Sequence, residues 1–425
     1  MAKTSKFDIS RIISYALFIL VGVFVLQKGA VYYLDSYAFL DMRFNRSPLY
    51  STFLKLFTSV FGDAYKYPVV ITQYAFIIVA ISFLLNTLKS VFKLSFISLI
   101  VVQLIVLAPC IYWHLTANKI LSEAIAYPLF LILFTFSFKF LIKQKFKYIY
   151  LAASVLCLLI LTRGQFIALL PVLMLLTLFV LWQKRNVKKG LIAIVILLMA
   201  SLIANVAERT YNKIVHGYFV SNAMSYVHLI SADFYISKAE DVNLFNDQES
   251  QTYFNLVRQS LVDVQLTREQ VLENELDDQE EFERNFSKIC NVRVHELGLK
   301  YFASKGLNLV EQNLALNELC AQMYLPLFKK NFKERLKLFY KNLKTTFGSS
   351  KYMLLFLMLL IIGMIKMLKS ANAIYKFIVL SILFMFANNT LIAAVVHPIN
   401  RYTFYFDWII FVIVLVLFVQ FSKKT

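Results

Sequence analysis

The sequence predicts an all-α polytopic membrane protein of about ten transmembrane helices with a mostly helical extracytoplasmic insert, and three observations carry that prediction. Hydrophobic side chains make up 59% of the 425 residues and charged ones only 16%, against about 25% charged in an average soluble domain. Apolar runs recur along the chain, several of them reaching the roughly 20 residues that a membrane helix needs. Glycine and proline are scarce, 10 and 7 in number, while phenylalanine and tyrosine reach 40 and 24, a balance that suits neither a fibrous nor a disordered chain. A soluble enzyme is excluded.

The first run, residues 12–30, follows Arg11 as a signal peptide would. Lys28, however, stands three residues before the only candidate cleavage site, at Val31, where a small residue is wanted. It reads as an uncleaved first span. The remaining runs are 69–88, 94–113, 127–142, 148–161, 166–182, 191–206, 353–367, 373–395 and 404–421. Lys89 and Lys93, then Lys143, Lys145 and Lys147, then Lys184, Arg185, Lys188 and Lys189, then Lys366 and Lys369, then Lys423 and Lys424 fall in every second connection, with Lys3 and Lys6 at the N-terminus. Positively charged loops stay inside, so both termini are expected in the cytoplasm, and the lean loops point to a bacterial inner membrane. The formal net charge of +19 belongs to those loops and not to a nucleic-acid surface.

Arg163, Gly164 and Gln165 interrupt the stretch from Tyr148 to Trp182. Its first part covers only about 21 Å at helical rise, less than the ~30 Å hydrocarbon thickness. Either Arg163 is recessed between two segments, or one tilted helix carries a snorkelling arginine. The domain plan is an N-terminal membrane module over 1–207 with about seven spans, an insert over 208–350, and a C-terminal module over 351–425 with about three spans. The insert is rich in Leu, Gln, Glu and Lys with few breakers, hence helical. Its Cys290 and Cys320 are either disulfide-bonded in an oxidising compartment or two free buried thiols. Cys110 and Cys157 lie in or beside apolar spans, and no cysteine spacing suits zinc.

Of the 25 acidic residues, 18 lie between Asp233 and Glu334. The others are Asp8, Asp35, Asp41, Asp63, Glu123, Glu208 and Asp407. With the expected topology all of these but Asp8 lie at the outer face, together with all five histidines. The pattern is that of a polar site built on that face, not of a relay threaded through the bilayer. For Asp41, Asp63 and His228 the alternative is that outer acids and histidines are what the lysine bias leaves behind. Asp35 follows the first span within an aromatic segment, residues 31–37, that reads as an interfacial belt. Partly desolvated against that rim, though still hydrogen-bonded by Ser36 or Tyr37, a carboxylate gains basicity, which suits a general base. Ser47 and Pro48 make an N-cap and N1 pair for a short amphipathic helix near 48–62, either a lid over packed spans or the floor of a lipid groove. Glu123, after Ser122, opens the fourth span, where helix capping is the competing role. Arg163, Arg209, His397 and Arg401 supply cationic donors near outer span ends, for phosphate or for ion pairs with the acids. The spans carry almost no polar residue apart from Arg163.

The pattern resembles the GT-C superfamily of integral-membrane glycosyltransferases, such as protein mannosyltransferases and lipid A aminoarabinose transferases. The matching pieces are Asp35 followed by ArgSerProLeuTyr at 46–50, Ser122 and Glu123, LeuThrArg at 161–163, Tyr211, Asn212 and Gly217, and AsnArgTyr at 400–402. The resemblance implies inverting transfer of a sugar from a polyprenyl-phosphate donor to an extracytoplasmic acceptor, which is lipid A, a lipid-linked glycan, a polysaccharide or a protein. It places Asp35 as base with Glu123 beside it, Arg163, Arg401 and His397 at the donor phosphate, and Arg46, Tyr50, His114, Arg209 and Asn212 as further substrate-site candidates. It implies no cofactor, and because Asp35 is followed by Ser36 and not by a second acid, the divalent metal of the oligosaccharyltransferase branch is not expected. The alternatives are an O-antigen-type polysaccharide polymerase, expected to carry arginine-rich outer loops, and a lipid or oligosaccharide transporter, expected to carry broken helices and polar midplane residues.

Overall fold

The computed structural model describes residues 9–112, 114–370 and 372–422. Lys3, Lys6, Lys423 and Lys424, on which part of the expected orientation rests, lie outside them, as does Asp8, expected on the cytoplasmic side. The chain divides into two compact units, one of residues 1–211, 356–387 and 404–425, the other of 212–355 and 388–403.

The first unit opens with α1 (Ile9–Lys28), α2 (Leu34–Leu40), α3 (Pro48–Phe61), α4 (Lys66–Phe92) and α5 (Phe96–Ile111). It continues with α6 (Glu123–Lys143), α7 (Lys147–Thr162), α8 (Leu169–Lys184) and α9 (Val187–His216), which runs on into the second unit. Each apolar run of the N-terminal half is a helix. Between α4 and α5, α6 and α7, and α8 and α9 the chain turns within a few residues. The turns are made by Lys93, Gln144 and Arg185 at φ values of 51°, 49° and 52°. Helices often end in this left-handed conformation, because it redirects the chain and lets an amide reach a last-turn carbonyl; the Gln144 and Arg185 amides bond Phe140 O and Leu181 O at 2.7 Å. Ser95 caps α5 by accepting from the Ser98 amide.

Among the described residues, seven helical stretches are long and apolar enough to cross a membrane: Pro48–Phe92, Glu123–Lys143, Gly164–Lys184, Val187–His216, Ser350–Lys369, Ala373–Val395 and Asn400–Gln420. Ile12–Lys28, Phe96–Ile111 and Lys147–Thr162 are apolar but shorter. Val195, Leu198 and Leu202, like Leu354, Ile361 and Ile362, point away from the protein. Apolar faces of that extent need lipid around them. The chain is an all-helical integral membrane protein.

The second unit holds α10 (Ser225–Ile236), α11 (Gln248–Val262), α12 (Arg268–Glu273), α13 (Asp278–Ser287), α14 (Leu297–Ala303), α15 (Leu309–Lys330) and α16 (Phe332–Thr346). The chain then follows α17 (Ser350–Lys369), α18 (Ala373–Val395), α19 (Asn400–Thr403) and α20 (Asp407–Ser422). Side-chain caps mark the starts of several insert helices: Asp247 accepts from the Ser250 amide, Asp277 from Gln279 and Glu280, and Asn308 from Val310 and Glu311. Phe234, Tyr235, Tyr253, Phe254, Phe282 and Phe286 fill a core around α10. Residues 288–296 form a π-helix, and the buried Tyr253 hydroxyl donates to its Val294 O at 2.6 Å, a carbonyl that also accepts from the Leu297 amide. Cys290 and Cys320 are free and buried in this core. Burial pushes the Cys290 thiol up to about 12 and Cys320 further in the same direction.

Candidate functional site

Four segments of the first unit meet at one end of its helices. The stretch after α1 pairs with the loop before α6: the Val31 amide donates to Asn118 O at 2.8 Å and the Ile120 amide to Val31 O at 3.0 Å. The fully buried Asn118 side-chain amide donates to Val25 O and to Gly29 O, both at 2.7 Å, closing off the last turn of α1. Gln73 of α4 donates to Ala117 O at 2.9 Å and accepts from the Tyr50 hydroxyl at 2.9 Å. Ser47 donates its hydroxyl to Thr162 O at 2.6 Å.

That last bond changes the expected role of Ser47. It stands at the N-cap of α3, with Pro48 at N1, but its oxygen makes no capping bond. It serves α7 instead, whose terminal carbonyls have no intrahelical partner. The bond fastens the residue next to Arg46 onto the residue next to Arg163.

Two carboxylate–arginine pairs sit on this frame. Arg46 donates to Asp35 Oδ1 at 2.7 Å, both side chains being 27% exposed, and its guanidinium also lies 5.4 Å from the Phe39 ring centre. Ser36, expected to support Asp35, accepts from the Tyr33 amide. Asp35 therefore faces an arginine, a partner that the adjacent sequence did not suggest. Leu34, Tyr33 and Tyr37 on α2 and its flank are exposed, so the aromatic rim is present. Deeper in, Arg163 bonds Glu123 Oε1 at 2.9 Å with side chains 9% and 4% exposed. Arg163 also reaches Gln165 Oε1 at 3.2 Å and Ser122 Oγ at 3.4 Å. α7 ends at Thr162, Arg163 is extended at φ −153°, and a short 3₁₀ turn leads to α8. The chain breaks into two segments here, and the Arg163 side chain at the break is buried. Glu123 is the first residue of α6, and its carboxylate turns to Arg163.

The other candidates of this unit are placed differently. Tyr50 is fully buried, its hydroxyl held by Gln73 and its ring edge-on to Phe39 at 5.1 Å, so a substrate contact would first have to break that packing. His114 stacks on Phe404 at 4.4 Å. Burial first, and the charge of Lys119 next, push its imidazole down to about 4 against the pull of Glu123. It is neutral at pH 7. Arg209 donates to Asn205 one turn earlier on α9 at 2.8 Å.

In the second unit, Asn212 is buried and donates to Val220 O at 2.8 Å, pinning the turn that Gly217 makes at φ 87°. His397 stacks on Phe286 at 4.4 Å and meets the Tyr402 ring edge at 6.1 Å. Burial and the neighbouring His228 push it down to about 4, so it is a neutral imidazole and not the cationic donor the sequence suggested. Arg401 lies half-buried on α19.

Sequence reasoning missed Gln73, Gln103, Lys376, Asn388 and Asn389, all buried within apolar helices. The signal was available, since each is a polar letter inside an apolar run. The expectation of spans nearly free of polar residues apart from Arg163 is corrected accordingly. Among the described residues no group of three or more His, Cys, Asp and Glu side chains is arranged to hold a metal. The chain matches no family model, no curated protein and no solved structure.

Proposed function

We propose that the chain is a membrane glycosyltransferase of GT-C type, moving a sugar with inversion from a polyprenyl-phosphate donor to an extracytoplasmic glycan, lipid or protein acceptor. The observation that carries this is the pair of carboxylate–arginine couples, Asp35 with Arg46 and Glu123 with Arg163, fastened together by the Ser47–Thr162 bond at one end of a membrane unit. Transfer needs a base to take the acceptor hydroxyl proton as its oxygen attacks the anomeric carbon, and cations to stabilise the phosphate as the sugar–oxygen bond breaks. In the resting pairs each acid holds an arginine. A donor phosphate competes for Arg46 or Arg163, forming bidentate bonds, and releases Asp35 as base with Glu123 beside it. Arg401 and His397 remain donor-side candidates, each to be tested by its own substitution. The lysine-rich turns support a reading in which both termini are cytoplasmic and this end is outside, and counting the three shorter apolar helices as spans gives the proposed total of about ten.

The test is sugar transfer from a polyprenyl-phosphate sugar in liposomes with matched amounts of protein. Asp35→Asn is expected to lower turnover by about 10²- to 10⁴-fold with donor binding retained. Parental turnover in Asp35→Asn with loss in Glu123→Gln moves the base to Glu123, and parental turnover in both removes the mechanism. A transporter stays as the second reading because Gln73, Gln103, Asn388 and Asn389 put buried polar groups within the apolar helices. Movement of an intact lipid-linked sugar across the vesicle, without transfer, would establish it.

A further inference from the structure

We propose a second site between α1, α4 and α5, at the ends of these helices remote from Asp35, that binds the phosphate headgroup of an anionic phospholipid. A cleft of about 240 Å³ opens there. The helices meet the Asp35 end through Val25 and Gly29 of α1 and Gln73 of α4, whereas the cleft uses Ser14 and Phe18 of α1, Ser82 to Lys89 of α4, and Phe96 to Gln103 of α5. Along α4, Lys89 lies about 24 Å from Gln73 at helical rise.

The floor is built and closed. Gln103 is 1% exposed. It accepts from the Ser14 hydroxyl at 2.7 Å and donates to Ser14 O at 2.9 Å, locking α1 against α5. Recognition therefore falls to the side chains above it. Ser82, Asn86 and Lys89 follow one another on a single face of α4, at spacings of about one turn. Among the described residues none engages these three in a hydrogen bond or ion pair. Lys89 offers a point charge with three donors, Asn86 an amide donor and Ser82 a hydroxyl, a set that fits phosphate oxygens.

Apolar walls decide between a lipid and a soluble anion. Phe18, Leu85 and Leu99 line the same cleft, in helices whose outward faces are apolar, with Ile19, Val79, Ile97 and Leu104 exposed. A phosphate bound here has acyl-compatible surface directly beside it, and Lys89 sits in the last turn of a membrane helix, the depth at which headgroups lie. A juxtamembrane lysine is attracted to an anionic leaflet, which favours a headgroup with net negative charge over a zwitterion. The site is independent of any transferase chemistry.

The test uses the full chain in detergent micelles and native mass spectrometry, with phosphatidylglycerol, phosphatidylcholine or inorganic phosphate added. Phosphatidylglycerol should be retained in preference to phosphatidylcholine. Lys89→Gln combined with Asn86→Leu should lower its retention at least tenfold, Lys89→Arg should keep most of it, and Lys369→Gln, on α17, should leave it unchanged. Gel filtration of each variant checks that the fold is kept. Equal retention in the Lys89→Gln/Asn86→Leu protein and the parent overturns the site; equal retention of the two lipids overturns its charge preference. Binding of inorganic phosphate without any lipid adduct makes the ligand a free anion and overturns the assignment to a lipid.

Discussion

Each unit buries an arginine beside a carboxylate, and the two arrangements differ in what else touches the acid. In the first unit Arg163 meets Glu123 Oε1 at 2.9 Å, and the Ser122 hydroxyl donates to the other carboxylate oxygen, Oε2, at 3.4 Å. In the second, the fully buried Asp233 lies 3.6 Å from Arg335, and neither of its oxygens accepts a hydrogen bond from another side chain among the described residues. Arg335 turns its fork to backbone instead, donating to Ala394 O at 2.7 Å and Leu229 O at 3.4 Å. Desolvation consequently outweighs the pull of Arg335 and pushes Asp233 up to about 7. A buried charge is held by hydrogen bonds as much as by an opposite charge, and where these are lacking the acid keeps its proton.

The largest effect should come from breaking the well-bonded pair on one side only. Arg163→Met leaves Glu123 buried without its cation and is expected to cost about 3–5 kcal/mol, read as thermal or denaturant unfolding of the purified chain in detergent. Adding Glu123→Gln should restore most of that loss. A single variant as stable as the parent would mean that water already reaches Glu123.

A smaller effect, with a defined sign, is expected at Asp233. Its pKa is about 7 in the folded chain and about 3.9 unfolded, so between those values the folded state holds the extra proton and stability falls as pH rises, levelling off above about 7. Melting the parent and Asp233→Asn between pH 5 and pH 8 checks this: the parent should lose up to a few kcal/mol over that interval, and the variant should lack that component. An Asp233→Asn chain with the parent's slope would show that another group carries it.

The smallest effect on stability belongs to the partly exposed pair. Arg46→Ala should lower stability by less than about 1 kcal/mol, because water screens Asp35 in its absence. In the proposed chemistry it nonetheless lowers sugar transfer. Loss of stability as large as for Arg163→Met would sharpen the comparison by showing that the Asp35 loop is a structural clasp.

The helices were legible because each run of apolar letters had to become one: residues 373–395 were bounded as they stand in α18, and α9 exceeds its apolar run at both ends, where residues 187–190 precede it and residues 207–216 continue the helix. The charge census picked out Asp35, Glu123 and Arg163. It did not give their partners, since Glu123 opens α6 while Arg163 stands in the extended break after α7, and no local spacing joins them. Arg46 was weighed for substrate and not for Asp35, as an eleven-residue loop allows many closures. The role of Ser47 was hidden for a different reason: an N-cap serine has two possible uses, and only the position of Thr162 O decides which is adopted.

Asn118 bears on the order in which the protein is made. The two carbonyls it bonds, on Val25, which also accepts the Gly29 amide, and on Gly29, are synthesised 93 and 89 residues earlier. During translation the end of α1 therefore waits, with Gly29 O hydrated, until two further apolar segments have left the ribosome and the loop that follows them folds back. A helix end that must stay wet for that interval is anchored at the aqueous boundary and resists being drawn into lipid. The asparagine then seals it, so that the first helix is set in depth early and set in place only when the third apolar segment is complete.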